Sequence, residues 1–183
     1  MRRGFYLPIF LAFFSTCLLL CTSSAKAQGP AIDLTSPAFD HGSMIPSKYT
    51  CDGVNVSPSL DWSSIPNGTK SFVIICDDPD APMGTWVHWV YYDIPAEAKG
   101  LPENVGTLEH PQCGGTQGRS DFGSIGYGGP CPPSGTHRYF FKSYALDVRL
   151  DLAPGATKSE VLKSMNGHIL EQLKLMGRYK RLF

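Results

Sequence analysis

The sequence predicts a mainly β, sandwich-like domain closed by one C-terminal α-helix, and three observations carry that expectation. Between Ile32 and Asp147 the apolar runs are short and rich in β-branched and aromatic residues, a composition suited to a pleated, buried surface. Clusters of Gly, Pro, Asn and Ser bracket those runs. Helical spacing of apolar residues is confined to the stretch after residue 156. Strands first and one helix last is the order of a sheet-based domain with minor α content.

Residues 1–27 stand apart from that domain. Arg2 and Arg3 give a positive start, Phe5 to Cys21 is almost unbroken apolar chain, and Ala25 and Ala27 flank Lys26 in an A-x-A exit. That combination describes a secretory signal cleaved after Ala27, leaving one domain over 28–183. A membrane anchor is the weaker reading, because the run is at the short end of the roughly 20 residues a spanning helix needs and Pro8 interrupts it. Leu20 before Cys21 does not suit a lipoprotein signal. The expectation is export to the periplasm or beyond, with no stable membrane span once the signal is gone.

The chain carries 16 basic and 16 acidic residues; without Arg2, Arg3 and Lys26 the basic count falls to 13. No basic stripe runs along the sequence, which argues against nucleic acid as a partner. Of six cysteines, Cys17 and Cys21 belong to the leader. Cys51, Cys76, Cys113 and Cys131 remain, and in an oxidising compartment they permit two disulfides in any of three connectivities. No C-x-x-C occurs, so a zinc ribbon or thioredoxin motif is not supported.

Within the domain, residues 71–76, 86–92 and 137–146 read as strands. Turn residues precede or separate them at Pro66 to Gly68, Pro79 to Gly84 and Pro132 to Gly135. The runs are closer to continuous than alternating, which predicts burial on both faces. Between Leu108 and Gly135 no period is evident, and eight glycines fall between 114 and 135. A loop that long in a compact domain is usually functional. Thr157 and Glu160 form a capping box, and Val161, Leu162, Met165, Ile169, Leu173 and Met176 follow at helical spacing. The expected helix packs this stripe on the sheet and ends at Gly177.

Three stretches point to chemistry. In residues 76–82 two prolines stiffen a turn bearing Asp78 and Asp80. Period two places Trp86 and His88 on one strand face, and His137 and Tyr139 on one face of another. Each has a structural alternative: turn-forming aspartates, hydrogen-bonded core histidines, a core tryptophan. Together they match what an anion pocket requires, namely N–H and O–H donors, histidine and an apolar wall. Aspartates beside the histidines would fix their tautomer and raise their pKa.

Five motifs, in order, resemble the phosphatidylethanolamine-binding protein family, closest to its bacterial Raf-kinase-inhibitor-like branch. They are Cys51 to Leu60 with Trp62, Asp78 to Pro82, Trp86 with His88, Gly118 to Gly123, and Gly129 to Gly135 followed by His137 and Tyr139. The resemblance extends roughly from Ile32 to Arg181. It implies a large central antiparallel sheet flanked by a smaller sheet and by helix, with a small anion pocket at one end. It also implies ligand-binding roles for Asp78, Asp80, Trp86, His88, Gly129, Pro130, His137 and Tyr139. Eukaryotic members carry a histidine where Val87 stands here, so their kinase inhibition is not carried over.

Because Cys51 and Cys131 flank motifs that must converge on one site, a Cys51–Cys131 disulfide is expected, with Cys76–Cys113 a weaker pairing. The leading functional expectation is a non-catalytic binder of a small anionic or phosphorylated ligand, with no cofactor and no metal. A modulator of a partner protease or kinase is the second reading, and metal-assisted hydrolysis the third.

Overall fold

The computed structural model describes Met1 and residues 33–62 and 65–181; the leader expected over 1–27 lies, Met1 apart, outside them. The elements are β1 (Leu34–Thr35), a 3-10 turn at Ser47–Tyr49, β2 (Leu60–Trp62), β3 (Ser71–Asp78), β4 (Trp86–Pro95), β5 (Gly100–Leu101), β6 (Thr116–Gln117), β7 (His137–Leu146), α1 (Lys158–Ser164) and β8 (Ile169–Tyr179). They form a three-stranded sheet, β1-β2-β5, and a five-stranded sheet, β6-β4-β3-β7-β8. Every strand pairing is antiparallel.

The continuous apolar runs behave as their composition dictates. Every residue of β3 is buried, as are the eight residues between Trp86 and Pro95 in β4. One face of the large sheet turns Phe72, Ile74, Trp89, Tyr91 and Phe141 into a core shared with Leu60 and Trp62 of the small sheet. The other face sends Val73, Ile75, Val90, Tyr92 and Leu146 against Val161 of α1 and Met165, its C-cap. Fully burying an aliphatic side chain contributes about 1.5–3 kcal/mol, so the short helix is held mainly by that contact.

The C-terminal region departs from the sequence expectation. The capping box forms: Glu160 N–H donates to Thr157 Oγ1, and Thr157 N–H donates to Glu160 Oε2. The helix nevertheless stops at Ser164 instead of running to Gly177. Gly167 takes a φ of 85°, a left-handed conformation that ends helices at little cost to glycine. Residues from Ile169 then pair with β7 along its length, from Ile169 opposite Leu146 to Tyr179 opposite His137. An unpaired β7 edge would leave a row of polar backbone groups without partners. Gly177 is therefore a strand residue, and a Cβ there would meet Ile45 Cγ1 at 2.5 Å.

Cys51 and Cys131 form a disulfide, whereas Cys76 and Cys113 are both free. The expected Cys76–Cys113 pairing fails because the two thiols have different neighbours. Cys76 lies in the core opposite Trp89 and Phe141, while Cys113 sits 3.3 Å from the Tyr91 hydroxyl.

Candidate functional site

The pocket forms where three central strands meet at one end of the large sheet. Asp78 ends β3 opposite Trp86, which opens β4, and β7 begins beside them with His137. A cavity of about 320 Å³ there is lined by Asp78, Trp86, His88, His137 and Tyr139. The period-two placement of Trp86 with His88 and of His137 with Tyr139 thus puts all four side chains into one cavity.

Its histidines are held in defined tautomers. His137 Nδ1 lies 2.7 Å from Asp78 Oδ2, in a pair whose side chains are 9% and 4% exposed. An ionised carboxylate only accepts, so Nδ1 carries the proton and donates. Asp78 Oδ1 meanwhile accepts from Asp80 N–H at 2.8 Å, fixing the turn. His88 Nδ1 donates to the Gly128 carbonyl at 2.7 Å. Burial pushes the His88 pKa below its ordinary value, because a charged imidazole is poorly solvated there. This reverses the expectation that neighbouring aspartates would raise it, since desolvation outweighs their attraction. Neutral His88 therefore offers Nε2 as an acceptor, while its ring packs edge-on to Phe122 and Tyr139 at 5.2 and 5.1 Å.

Two donors in this cavity lack partners. Trp62 Nε1–H donates to Ala98 O, and Trp89 Nε1–H to Gln117 Oε1, each at 2.7 Å. The hydroxyls of Tyr92 and Tyr127 likewise donate to carbonyls, at 2.6 and 2.9 Å. Trp86 Nε1 and Tyr139 Oη are the two buried side-chain polar atoms without a hydrogen-bond partner among the described residues. Both belong to residues lining the cavity. Burial, reinforced by the neighbouring Asp78 carboxylate, raises the Tyr139 pKa, so the phenol keeps its proton; that carboxylate lies close to the hydroxyl but makes no hydrogen bond of ordinary geometry with it. Leaving a buried donor unpaired costs about 1–3 kcal/mol, and each such atom in a folded protein calls for an explanation.

The remaining sequence candidates lie just outside the cavity lining. Asp80 turns to Arg138, accepting from its backbone N–H, Nε–H and Nη2–H at 2.9, 2.9 and 2.6 Å. Those bonds hold the Asp80 pKa down to about 2. Gly129 N–H donates to Asn55 Oδ1 at 2.8 Å. A Cβ on Gly129 would meet that oxygen and Tyr49 O at 2.5 Å, so glycine permits the close approach. Pro130 O accepts from Cys51 N–H at 3.1 Å, and the disulfide joins the same two segments one residue on.

Sequence reasoning did not single out Met83, Phe122 and Pro133 as ligand-site residues, and they too line the cavity. Phe122 lies within the Gly118–Gly123 motif, and Gly128 leaves room for it: a Cβ there would sit 2.5 Å from the Phe122 ring. Met83 carries no sequence signal, being one apolar residue in a turn. Among the described residues, no group of three or more His, Cys, Asp or Glu side chains is arranged to hold a metal.

The class of fold these features define is an antiparallel two-sheet domain with a small pocket at one sheet end, lined by aspartate, histidine and aromatic side chains. The chain belongs to the phosphatidylethanolamine-binding protein family, whose sequence profile matches residues 35–180. It is 53% identical over 150 residues to a UPF0098 protein of Methanothermobacter thermautotrophicus, covering 82% of this chain and 99% of that protein. A UPF0098 protein of Aquifex aeolicus is 51% identical over 160 residues, with 85% and 92% covered. Among solved structures, a phosphatidylethanolamine-binding protein homologue from Chlamydia trachomatis superposes with a TM-score of 0.76 at 42% identity, covering 82% and 98% of the two chains. YbcL of E. coli, described as a new member of the mammalian PEBP family, gives the same TM-score and coverage at 34% identity.

Proposed function

We propose that this protein is an exported, non-catalytic binding protein for a small anion, a phosphate or carboxylate group of a metabolite, lipid headgroup or modified side chain. The unpartnered Trp86 Nε1–H and Tyr139 O–H carry this reading. They are donors, they line one cavity, and a bound oxyanion is the acceptor that would satisfy both. Neutral His88 Nε2 adds an acceptor for a protonated oxygen or an ammonium on the same ligand. At about 320 Å³ the pocket suits a headgroup rather than acyl chains. The Cys51–Cys131 disulfide suits the oxidising compartment to which a leader over 1–27 would direct the chain.

Titration of the 28–183 protein with phosphate, phosphoethanolamine and acetate, followed by NMR, tests the reading. Saturable shifts of the Trp86 indole N–H and of the His88 and Tyr139 amides are expected. Absence of any shift at these three residues up to high millimolar ligand would refute it.

One observation favours a second reading, docking onto a partner enzyme. Met83 and Phe122, at 93% and 47% exposure, set an apolar rim beside the pocket, and exposed apolar surface next to a ligand site suits a protein contact. Loss of a partner's inhibition in Met83→Glu, with anion binding unchanged, would separate the two.

A further inference from the structure

A second cavity, of about 310 Å³, lies on the opposite face of the large sheet. Asp77 and Asp78 are neighbours on β3, so their side chains leave by opposite faces. Asp78 lines the first pocket and Asp77 the second. The same alternation along β7 sends His137 and Tyr139 to the first, and Phe140 and Lys142 to the second. Lys174, opposite Lys142 on β8, and Lys158 at the start of α1 complete a lysine cluster.

This cluster is built rather than scattered. The Asp77 side chain is 2% exposed and binds two ammonium groups at once. Lys142 Nζ lies 2.8 and 2.9 Å from its two carboxylate oxygens, and Lys158 Nζ lies 2.5 Å from Oδ2. Surface lysines ordinarily keep their heads in solvent, yet these side chains are only 24% and 23% exposed. One cation would suffice to balance Asp77. The second overcompensates it, and Lys174, with Nζ 5.3 Å from the Phe140 ring centroid, adds a third charge. Asp77 is the only acidic residue lining this cavity among the described residues. Its ionised side chains therefore sum to two positive charges, and Asp77 occupies only some of the N–H donors that three ammonium groups carry.

We propose that this lysine groove is a second anion site, built for a doubly charged phosphate group such as a phosphate monoester or the end of a diphosphate. A dianion balances the local charge, and its oxygens accept charge-assisted bonds from pinned ammonium groups at little further ordering cost. A monocarboxylate would leave half the charge unmatched. The two cavities share no lining residue, so this site stands or falls independently of the first.

Inorganic pyrophosphate, titrated at constant ionic strength and followed by NMR, is the probe, with Lys158→Gln and Lys174→Gln as variants. Both leave the Asp77–Lys142 pair in place, so the buried carboxylate keeps a partner and the fold is retained. Saturable shifts at Thr85, Phe140, Lys142 and Lys174 are expected, and each variant should weaken binding by about tenfold or more, the value of one charge-assisted bond. Sedimentation with phosphatidate-containing vesicles separates the sources of phosphate. Vesicle binding lost in Lys174→Gln assigns the site to a lipid headgroup, and its absence beside saturable pyrophosphate binding assigns it to a free phosphate compound. The proposal is overturned if the shifts rise without saturation, if both variants bind as the parent does, or if only Trp86, His88 and Tyr139 respond.

Discussion

Asp78 and His137, separated by 59 positions in sequence, form a buried hydrogen-bonded pair 2.7 Å apart in the lining of the cavity at the end of the large sheet. The carboxylate orients the imidazole, and its other oxygen ties down the turn through Asp80 N–H. Asp78→Asn conserves shape but offers one acceptor oxygen where the carboxylate offered two. It should destabilise the fold by about 1–3 kcal/mol, the cost of a disrupted buried hydrogen bond to a charged group, and weaken anion binding. Denaturant melts paired with calorimetric titration of phosphoethanolamine read both; unchanged affinity would remove Asp78 from the ligand site.

Tyr139→Phe should separate binding from stability. The Tyr139 hydroxyl is buried without a partner, so deleting it relieves up to about 1–3 kcal/mol of unsatisfied desolvation. Thermal stability of the unliganded protein is expected to hold or rise. Affinity for phosphate should fall by about tenfold, roughly 1.4 kcal/mol. A destabilised variant with intact affinity would assign the hydroxyl to the fold.

Protonation of His88 sets an acid limit. Burial lowers its pKa in the folded protein below the ordinary 6.5, so the unfolded chain binds this proton more readily. The contribution is fully present above pH 6.5 and is lost as pH falls through the lower, folded value. Stability measured by urea unfolding should decline between pH 7 and pH 5, and His88→Gln should flatten that decline. Asp80 acts further down: its carboxylate, held at about 2 by Arg138, contributes above pH 3.8 and loses its effect toward pH 2.

Reduction should loosen the pocket wall. The Cys51–Cys131 bond closes a separation of 80 residues and ties the segment after the 3-10 turn to the loop bearing Pro132 and Pro133. Removing a native disulfide in a domain of this size costs about 2–4 kcal/mol. A strong thiol reductant, or Cys51→Ser with Cys131→Ser, should lower the Tm and the affinity for phosphoethanolamine together. An unaltered melt under reducing conditions would show that the bond carries no load.

Much of the site was legible because it sits on strands whose period is short. Apolar continuity identified β3, β4 and β7 to within a few residues, and alternation alone put Trp86 beside His88 and His137 beside Tyr139. The same local rules do not report which way Asp80 turns. A turn carboxylate looks alike whether it faces a pocket or Arg138, and the choice rests on which β7 residue lies opposite. Phe122, Met83 and Pro133 reach the pocket from loops, where no period reports direction.

By itself, then, the amino-acid sequence determined the β-rich class, three central strands, the Thr157–Glu160 cap and five of the residues that meet at the pocket. Each depends on spacing within about ten residues. Tertiary structure alone decided the rest. Residues 169–179 have helical spacing and pair as a strand, because β7 offers backbone partners that an isolated helix cannot match. Cys76 and Cys113 stay reduced because the fold holds them beside different neighbours. Lys142, Lys158 and Lys174, unremarkable along the chain, become one charged cavity because three separate elements pack around the buried carboxylate of Asp77. Local pattern sets the period of a segment, and long-range contact decides what that segment faces.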